Sequence, residues 1–277
     1  MMDDTEKNRI WQKITEYAEA SASELSELRR DFHRHPEPGW MEFRTSGRIA
    51  DLLHLYGCDE VLTDQQVCKA EARMGVPEGG GMTGVIGMLH CGMGPTVALR
   101  FDIDALPVRE CEELDHFPAQ EGFRSEHAGY MHACGHDGHI TVGLGTAKLL
   151  CQIREQLHGT VKFIFQPAEE GVRGARAIVE NGHLEDVDFL LAAHMYGGSE
   201  QHPCGICITA GHGLATTKLD VDFHGKASHA AAAPEQGNNA LLAAATAVLN
   251  LQAIPRHGKA DTRINVGKLV AGSGRNI

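Results

Sequence analysis

Apolar residues recur at three- and four-residue steps through the first segment: Ile10, Ile14, Tyr17, Ala18, Leu25, Leu28 and Phe32. That spacing predicts an amphipathic helix over residues 6–32, ended by His35-Pro36-Glu37-Pro38-Gly39. A second helix is predicted from about Glu42 to Tyr56, with Gly57 as its cap. Residues 73–84 are too rich in glycine to hold a regular element and read as a loop. Apolar runs at Val85–Leu89 and Thr96–Ile103 predict strands joined by Cys91-Gly92-Met93-Gly94-Pro95. Helix and strand then alternate: helix over 138–156, strand over 160–165, helix over 173–181, strand over 188–193. Apolar strands separated by helices predict an α/β fold, a mostly parallel sheet flanked by helices. Such sheets bind ligands beyond the carboxyl ends of their strands.

The pattern changes after Gly211. Residues 214–224 alternate like a half-exposed strand, 236–254 form an Ala- and Leu-rich helix, and 263–270 read as another strand. The predicted organisation is a first domain over 1–210 and a smaller α+β domain over 211–277, which has too few elements to close a core.

Lys and Arg total 25 against 37 Asp and Glu, a formal charge of −12, which argues against a nucleic-acid or anionic-membrane surface. No apolar run approaches membrane-spanning length. The polar start, Met1 to Arg9, has no apolar segment behind it, so no secretory signal is read there and a cytoplasmic location is expected. The eight cysteines are read as thiols rather than a disulfide framework. The 17 histidines direct attention to metal chemistry.

Four polar clusters follow predicted strand ends: Arg100 to Asp104, His132 to His139, Gln166 to Gly171, and His194. The second packs a thiol, three imidazoles and a carboxylate into eight residues. Cys134 and His136, two apart, project the same way in an extended segment, and a thiolate with an imidazole suits zinc or a similar divalent ion. Glu169 and Glu170 are adjacent, so their side chains diverge. One carboxylate can bind metal while the other faces water and moves its proton. Alone, that pair reads as a solvated turn before a helix; the metal cluster upstream changes the reading. His183-Leu184-Glu185 with Pro203-Cys204-Gly205-Ile206-Cys207 imitates the pattern of zinc nucleobase deaminases. No helix is predicted to present the His183 segment, and this reading ranks behind. The glycines at 79–84 lack the Lys-Ser/Thr of a phosphate-binding loop.

Together these segments resemble the M20 family of metal-dependent peptidases and amidohydrolases, in the branch that hydrolyses amino-acid conjugates. The resemblance runs in order through Arg30-Asp31-Phe32-His33, Asp102 to Leu106, Met131 to His139, Phe165 to Gly171, His194, and Gly225-Lys226-Ala227-Ser228-His229. It implies a catalytic domain holding two divalent metal ions, manganese or zinc, and an inserted lid that forms a dimer with a second copy or a related subunit. It implies Cys134, His136, Glu170 and His194 as metal ligands and Glu169 as general base. Asp102 or Asp104 would orient the site, and His229 and Asn276 would bind the substrate. The implied reaction is hydrolysis of the amide of an N-acyl or aminobenzoyl amino acid, such as an aminobenzoyl-glutamate. Family members continue past residue 277 and supply a further histidine ligand. The expectation is therefore that this chain alone binds metal poorly and hydrolyses little. The competing expectation is a non-catalytic subunit that keeps the fold and binds a partner.

Overall fold

The computed structural model describes residues 3–113, 115–171, 173–195, 205–206, 216–272 and 274–276. The chain divides into two compact units, Met1–Gly205 and Ile206–Ile277.

The first unit opens with α1 (Asp4–Arg34) and α2 (Phe43–Tyr56). Asp3 caps α1 by accepting the Glu6 N–H at 2.7 Å. Gly57 ends α2 in the left-handed conformation, φ 91°, as its position predicts. Then come β1 (Glu60–Thr63), β2 (Val85–His90), β3 (Thr96–Asp102), the single turn α3 (Phe117–Gln120) and α4 (His136–Gln152). β4 (Thr160–Gln166), α5 (Ala175–Val179) and β5 (Phe189–Ala192) complete the unit.

The sheet order is β1-β2-β4-β3-β5. β4 enters between β2 and β3, pairing antiparallel with the first and parallel with the second; β5 joins β3 in parallel. β1 pairs antiparallel with β2, so four strands point one way and β2 alone is reversed. β1 falls outside the predicted elements: four residues without alternation carry no periodic signal.

Alternate side chains of the sheet feed two cores. Phe163 and Phe165 of β4, with Phe101 of β3, meet Ile49 and Leu53 of α2 and Ile140 and Leu144 of α4. Ile164, Ile86 and Ala98 face the other way, onto Trp40, Val67, Ala177 and Ile178. The register sets Asp102 beside Gln166 and Arg100 beside Ala192. The carboxyl ends of β4, β3 and β5 therefore lie side by side, and the polar clusters after each leave the sheet at one edge.

The second unit contains α6 (Ala240–Gln252), capped by Asn239, which accepts the Leu241 N–H at 3.0 Å. The strands predicted over 214–224 and 263–270 are not formed among the described residues, 216–224 and 263–270. Alternation marks which face a strand would bury, but a strand also needs a ladder partner, and these exposed segments have none among the described residues. The isolated bridge of this unit joins Lys226 to Asn238. Among the described residues, no helix is long and apolar enough to cross a membrane.

Candidate metal centre

α4 starts at His136, two residues earlier than its periodicity predicts. Gly135 precedes it at φ 83°, a conformation that costs glycine little. Gly135 and Gly138 also leave room for Met195: a Cβ on Gly138 would lie 2.6 Å from its Cε. The residue after His194 thus nests against the start of α4, which brings His194 to that helix.

The ring orientations are fixed from behind. His136 Nδ1 donates to the Asp104 carbonyl at 2.7 Å. Its Nε2 is buried without a hydrogen-bond partner among the described residues. His194 Nδ1 likewise donates to the Met195 carbonyl at 2.7 Å, and its Nε2 lies 3.5 Å from Cys134 Sγ. A backbone carbonyl holding Nδ1–H leaves Nε2 as a free lone pair, the arrangement that orients a metal-binding histidine.

Two sets of donor atoms, each within 4.8 Å of one another, result. One is Cys134, His136 and Glu170; the other is Asp102, His136, His139 and His194. They share His136. All four residues expected as ligands are brought together. Glu170 Oε1 is buried and unpartnered among the described residues, 4.0 Å from His136 Nε2. Glu169 Oε2 lies at the same distance. Such unpaired buried atoms cost stability unless something satisfies them, and a divalent cation suits this mix of thiolate, imidazole and carboxylate.

The electrostatics agree. Burial, then the Glu170 and Glu169 charges, push the Cys134 thiol up to about 11. Burial raises Glu169 as well, with Asp102 and Glu170 adding to it. For His136, burial opposes charging, but Asp104 and Asp102 outweigh it and the ring is raised. Four carboxylates, Asp102, Asp104, Glu169 and Glu170, around a thiol and imidazoles form a negative nest that favours a cation.

Asp102 and Asp104 divide the supporting work. β3 ends at Asp102, so Asp104 lies beyond it and turns toward the Glu pair. Its two carboxylate oxygens accept the N–H groups of Glu169 at 3.0 Å and Glu170 at 2.9 Å. Asp102 is fully buried, paired with Arg100, and 3.4 Å from His139 Nδ1. His139 Nε2 accepts the Met195 N–H at 2.7 Å. The sequence reading misses a role for His139 because a helix predicted to start at 138 puts His136 outside it. With the start at His136 the two imidazoles are three apart on one face, rings 5.1 Å apart. His132 joins neither set, and burial holds it down to about 4.

In the second unit His229 Nδ1 accepts the N–H groups of Ala231 at 3.2 Å and Ala232 at 3.1 Å. That leaves Nε2 as the protonated nitrogen, a donor. The Ala230 N–H reaches the Asn276 carbonyl at 3.1 Å, so the two residues expected to bind substrate are neighbours. The deaminase pattern finds no support: His183 Nε2 is held by the Gln66 carbonyl at 2.7 Å, outside both donor sets. Cys204 and Cys207 lie outside the described residues.

Residues 98–266 match the family described as Peptidase family M20/M25/M40. The chain belongs to that family. It is 43% identical to one of the subunits of p-aminobenzoyl-glutamate hydrolase from Escherichia coli, over 96% of its own length and 66% of the relative's. Among solved structures it resembles an aminobenzoyl-glutamate utilization protein from Klebsiella pneumoniae, with a TM-score of 0.68 and 39% identity over 95% of this chain and 65% of the other. It also resembles the Bacillus subtilis YXEP protein, described as a dinuclear metal binding peptidase from the M20 family. There the TM-score is 0.53 and the identity 40%, over 64% of this chain and 44% of the other. The chain spans about two thirds of the length of that Escherichia coli relative.

Proposed function

We propose that this M20 protein hydrolyses the amide bond of N-acyl or aminobenzoyl amino acids, with two divalent cations, manganese or zinc, as cofactors. The observation that carries the reading is the pair of overlapping donor sets around His136, each with its ligand atoms within 4.8 Å. The names of its relatives point the same way: one is a hydrolase of p-aminobenzoyl-glutamate, and another binds two metals.

Cys134, His136, Glu170 and His194 are the proposed ligands. A divalent cation supplies Lewis acidity, polarising an amide carbonyl and making water easier to deprotonate. Glu169 takes the proton from water and passes it to the departing amine, a role its raised pKa suits. Asp104 holds Glu169 and Glu170 in register through their backbone N–H groups. His229, with a protonated Nε2, donates to the substrate carbonyl oxygen, and the neighbouring Asn276 meets the substrate carboxylate. The first unit is the catalytic domain in this reading. The second is a lid and dimerisation domain that meets a second copy or a related polypeptide, in keeping with a relative that is named as one part of a multi-subunit hydrolase. The protein would act in the cytoplasm.

The test is elemental analysis of the purified chain, followed by a screen for glutamate release from N-acyl and aminobenzoyl glutamates. Bound manganese or zinc, even of weak affinity, with glutamate release, even slow, supports the proposal. A chain that takes up neither metal and releases no glutamate at any loading refutes it, leaving the non-catalytic role.

A further inference from the structure

Away from the donor sets, the C-terminal ends of α2 and α4 bring two thiols together. Gly57 turns the chain back beneath α2, and the Cys58 N–H reaches the Leu53 carbonyl at 3.1 Å. Cys151 lies in the last turn of α4. Their sulfurs are 4.0 Å apart, across a sequence separation of 93 residues. Among the described residues this is the one contact between two thiols.

The surroundings make the pair unequal. Cys58 is buried in the core, whereas Cys151 is half-buried. Arg154 stands just past α4. It is anchored by Asp59 at 2.9 and 2.8 Å and donates to the Gly57 carbonyl at 3.4 Å, so its charge is fixed beside the sulfurs. The hydrogen bond from Cys58, then the Arg154 charge, hold the Cys151 thiol below its ordinary range against the effect of burial. The same hydrogen bond, with burial, pushes Cys58 up. A partly exposed thiol poised toward thiolate, with a second thiol behind it, is the arrangement of an attacking and a resolving cysteine. Nothing in the proposed hydrolysis uses either residue.

We propose that Cys58 and Cys151 form a modification site, a dithiol that a hydroperoxide oxidises to a disulfide tying the end of α2 to the end of α4. The Cys151 thiolate attacks the peroxide oxygen, breaking the O–O bond. It becomes a sulfenic acid and releases water from hydrogen peroxide, or an alcohol from an organic peroxide. The Cys58 sulfur then attacks the Cys151 sulfur, expelling the sulfenic oxygen as water as the S–S bond forms. Two thiols lose two electrons and two protons, and the peroxide takes both. The sulfurs must close from 4.0 Å to about 2.05 Å. Both sit at helix ends, where the chain shifts more easily than in a helix interior. Cys91, half-buried in the same core cluster, is the competing thiol.

The experiment treats the full chain, reduced and then freed of reductant, with stoichiometric hydrogen peroxide under native conditions. Remaining thiols are capped with N-ethylmaleimide and unreduced peptides are mapped by mass spectrometry. The expected result is one dominant linked pair, Cys58 with Cys151, lighter by two hydrogens than the separate peptides. The preference should vanish when the chain is oxidised in denaturant, and the oxidised native protein should melt at a higher temperature until dithiothreitol is added. A Cys58→Ala variant should accumulate dimedone-reactive sulfenic acid at Cys151. The proposal is overturned if Cys151 is recovered capped, as a sulfinic acid, or bonded to Cys91. Should the variant not fold, the wild-type peptide map decides alone.

Discussion

The Glu42 carboxylate accepts the backbone N–H of Ala168 at 2.7 Å, and Ala168 holds φ 48° directly ahead of Glu169 and Glu170. A positive φ at alanine is strained and persists only where the surroundings impose it. Glu42 also meets the Thr83 hydroxyl at 2.6 Å. A wholly buried carboxyl at the start of α2 thus pins the turn from which the Glu pair emerges. Burial, then the Asp104 charge, push Glu42 up to about 8 from 4.5.

That shift fixes a pH dependence. Below pH 4.5 the group is protonated folded or unfolded, and its contribution is fully present. Between pH 4.5 and about 8 the unfolded chain releases the proton while the folded chain keeps it, so stability falls as pH rises. Above about 8 both states are ionised and the loss is complete. Glu42→Gln keeps an acceptor for the Ala168 N–H and places an amide donor where the Thr83 hydroxyl now donates, so that hydroxyl must turn to accept; the amide cannot titrate. Urea unfolding should show wild type losing a few kcal/mol across this window (about 1.4 kcal/mol per pKa unit) and the variant losing much less. Parallel curves for the two proteins would count against the assignment.

Asp104 offers its two oxygens to two N–H donors, those of Glu169 and Glu170. Asp104→Asn replaces one acceptor with a donor and sets it against a backbone N–H in a buried position. The expected cost is about 1–3 kcal/mol of stability. Metal uptake, measured by titration calorimetry with manganese or zinc, should weaken with it, because the turn carrying Glu170 is no longer held. Unchanged stability together with unchanged uptake would show that the Glu turn is held without Asp104.

Glu169 and Cys134 should separate by assay. Glu169→Ala removes the proton carrier but no proposed ligand, so metal content should hold while turnover falls by at least about 10²-fold. Cys134→Ala removes a ligand, and metal content itself should fall. Elemental analysis of both variants beside a glutamate-release assay checks this. Metal loss in Glu169→Ala with none in Cys134→Ala would exchange the two roles.

Most helices and the central strands were legible because period 3.6 and apolar runs survive in single sequences. α1, α2, α4 and α6 fall where their spacing predicts, and β2 to β5 where apolar runs precede turns. Pairing was less legible. That β4 would enter between β2 and β3 is a tertiary choice, invisible to a pattern that only marks which residues want burial. Alternation over 263–270 promised a strand, yet a strand is made by its neighbour. For the site, local density in sequence singled out Cys134, His136 and the Glu pair as candidates. The division between Asp102 and Asp104 was not readable, since two residues of one parity look equivalent until the strand is seen to end between them.

Two glycine substitutions of identical chemistry should move stability in opposite directions. Gly143, in α4, lies against the sheet: a Cβ there would sit 2.7 Å from ring atoms of both Phe101 and Phe165. Both rings are packed in the core beneath α4 and cannot retreat without displacing the helix that carries His136 and His139. Gly143→Ala should therefore destabilise by about 1–3 kcal/mol, outweighing the gain in helix propensity. Gly47, exposed in α2, has no heavy atom within 4 Å of where a Cβ would sit. Gly47→Ala should gain the propensity alone, about 0.5–1 kcal/mol. Chemical denaturation of both variants at one pH tests the packing of α4 against β3 and β4, and two shifts of the same sign would contradict it.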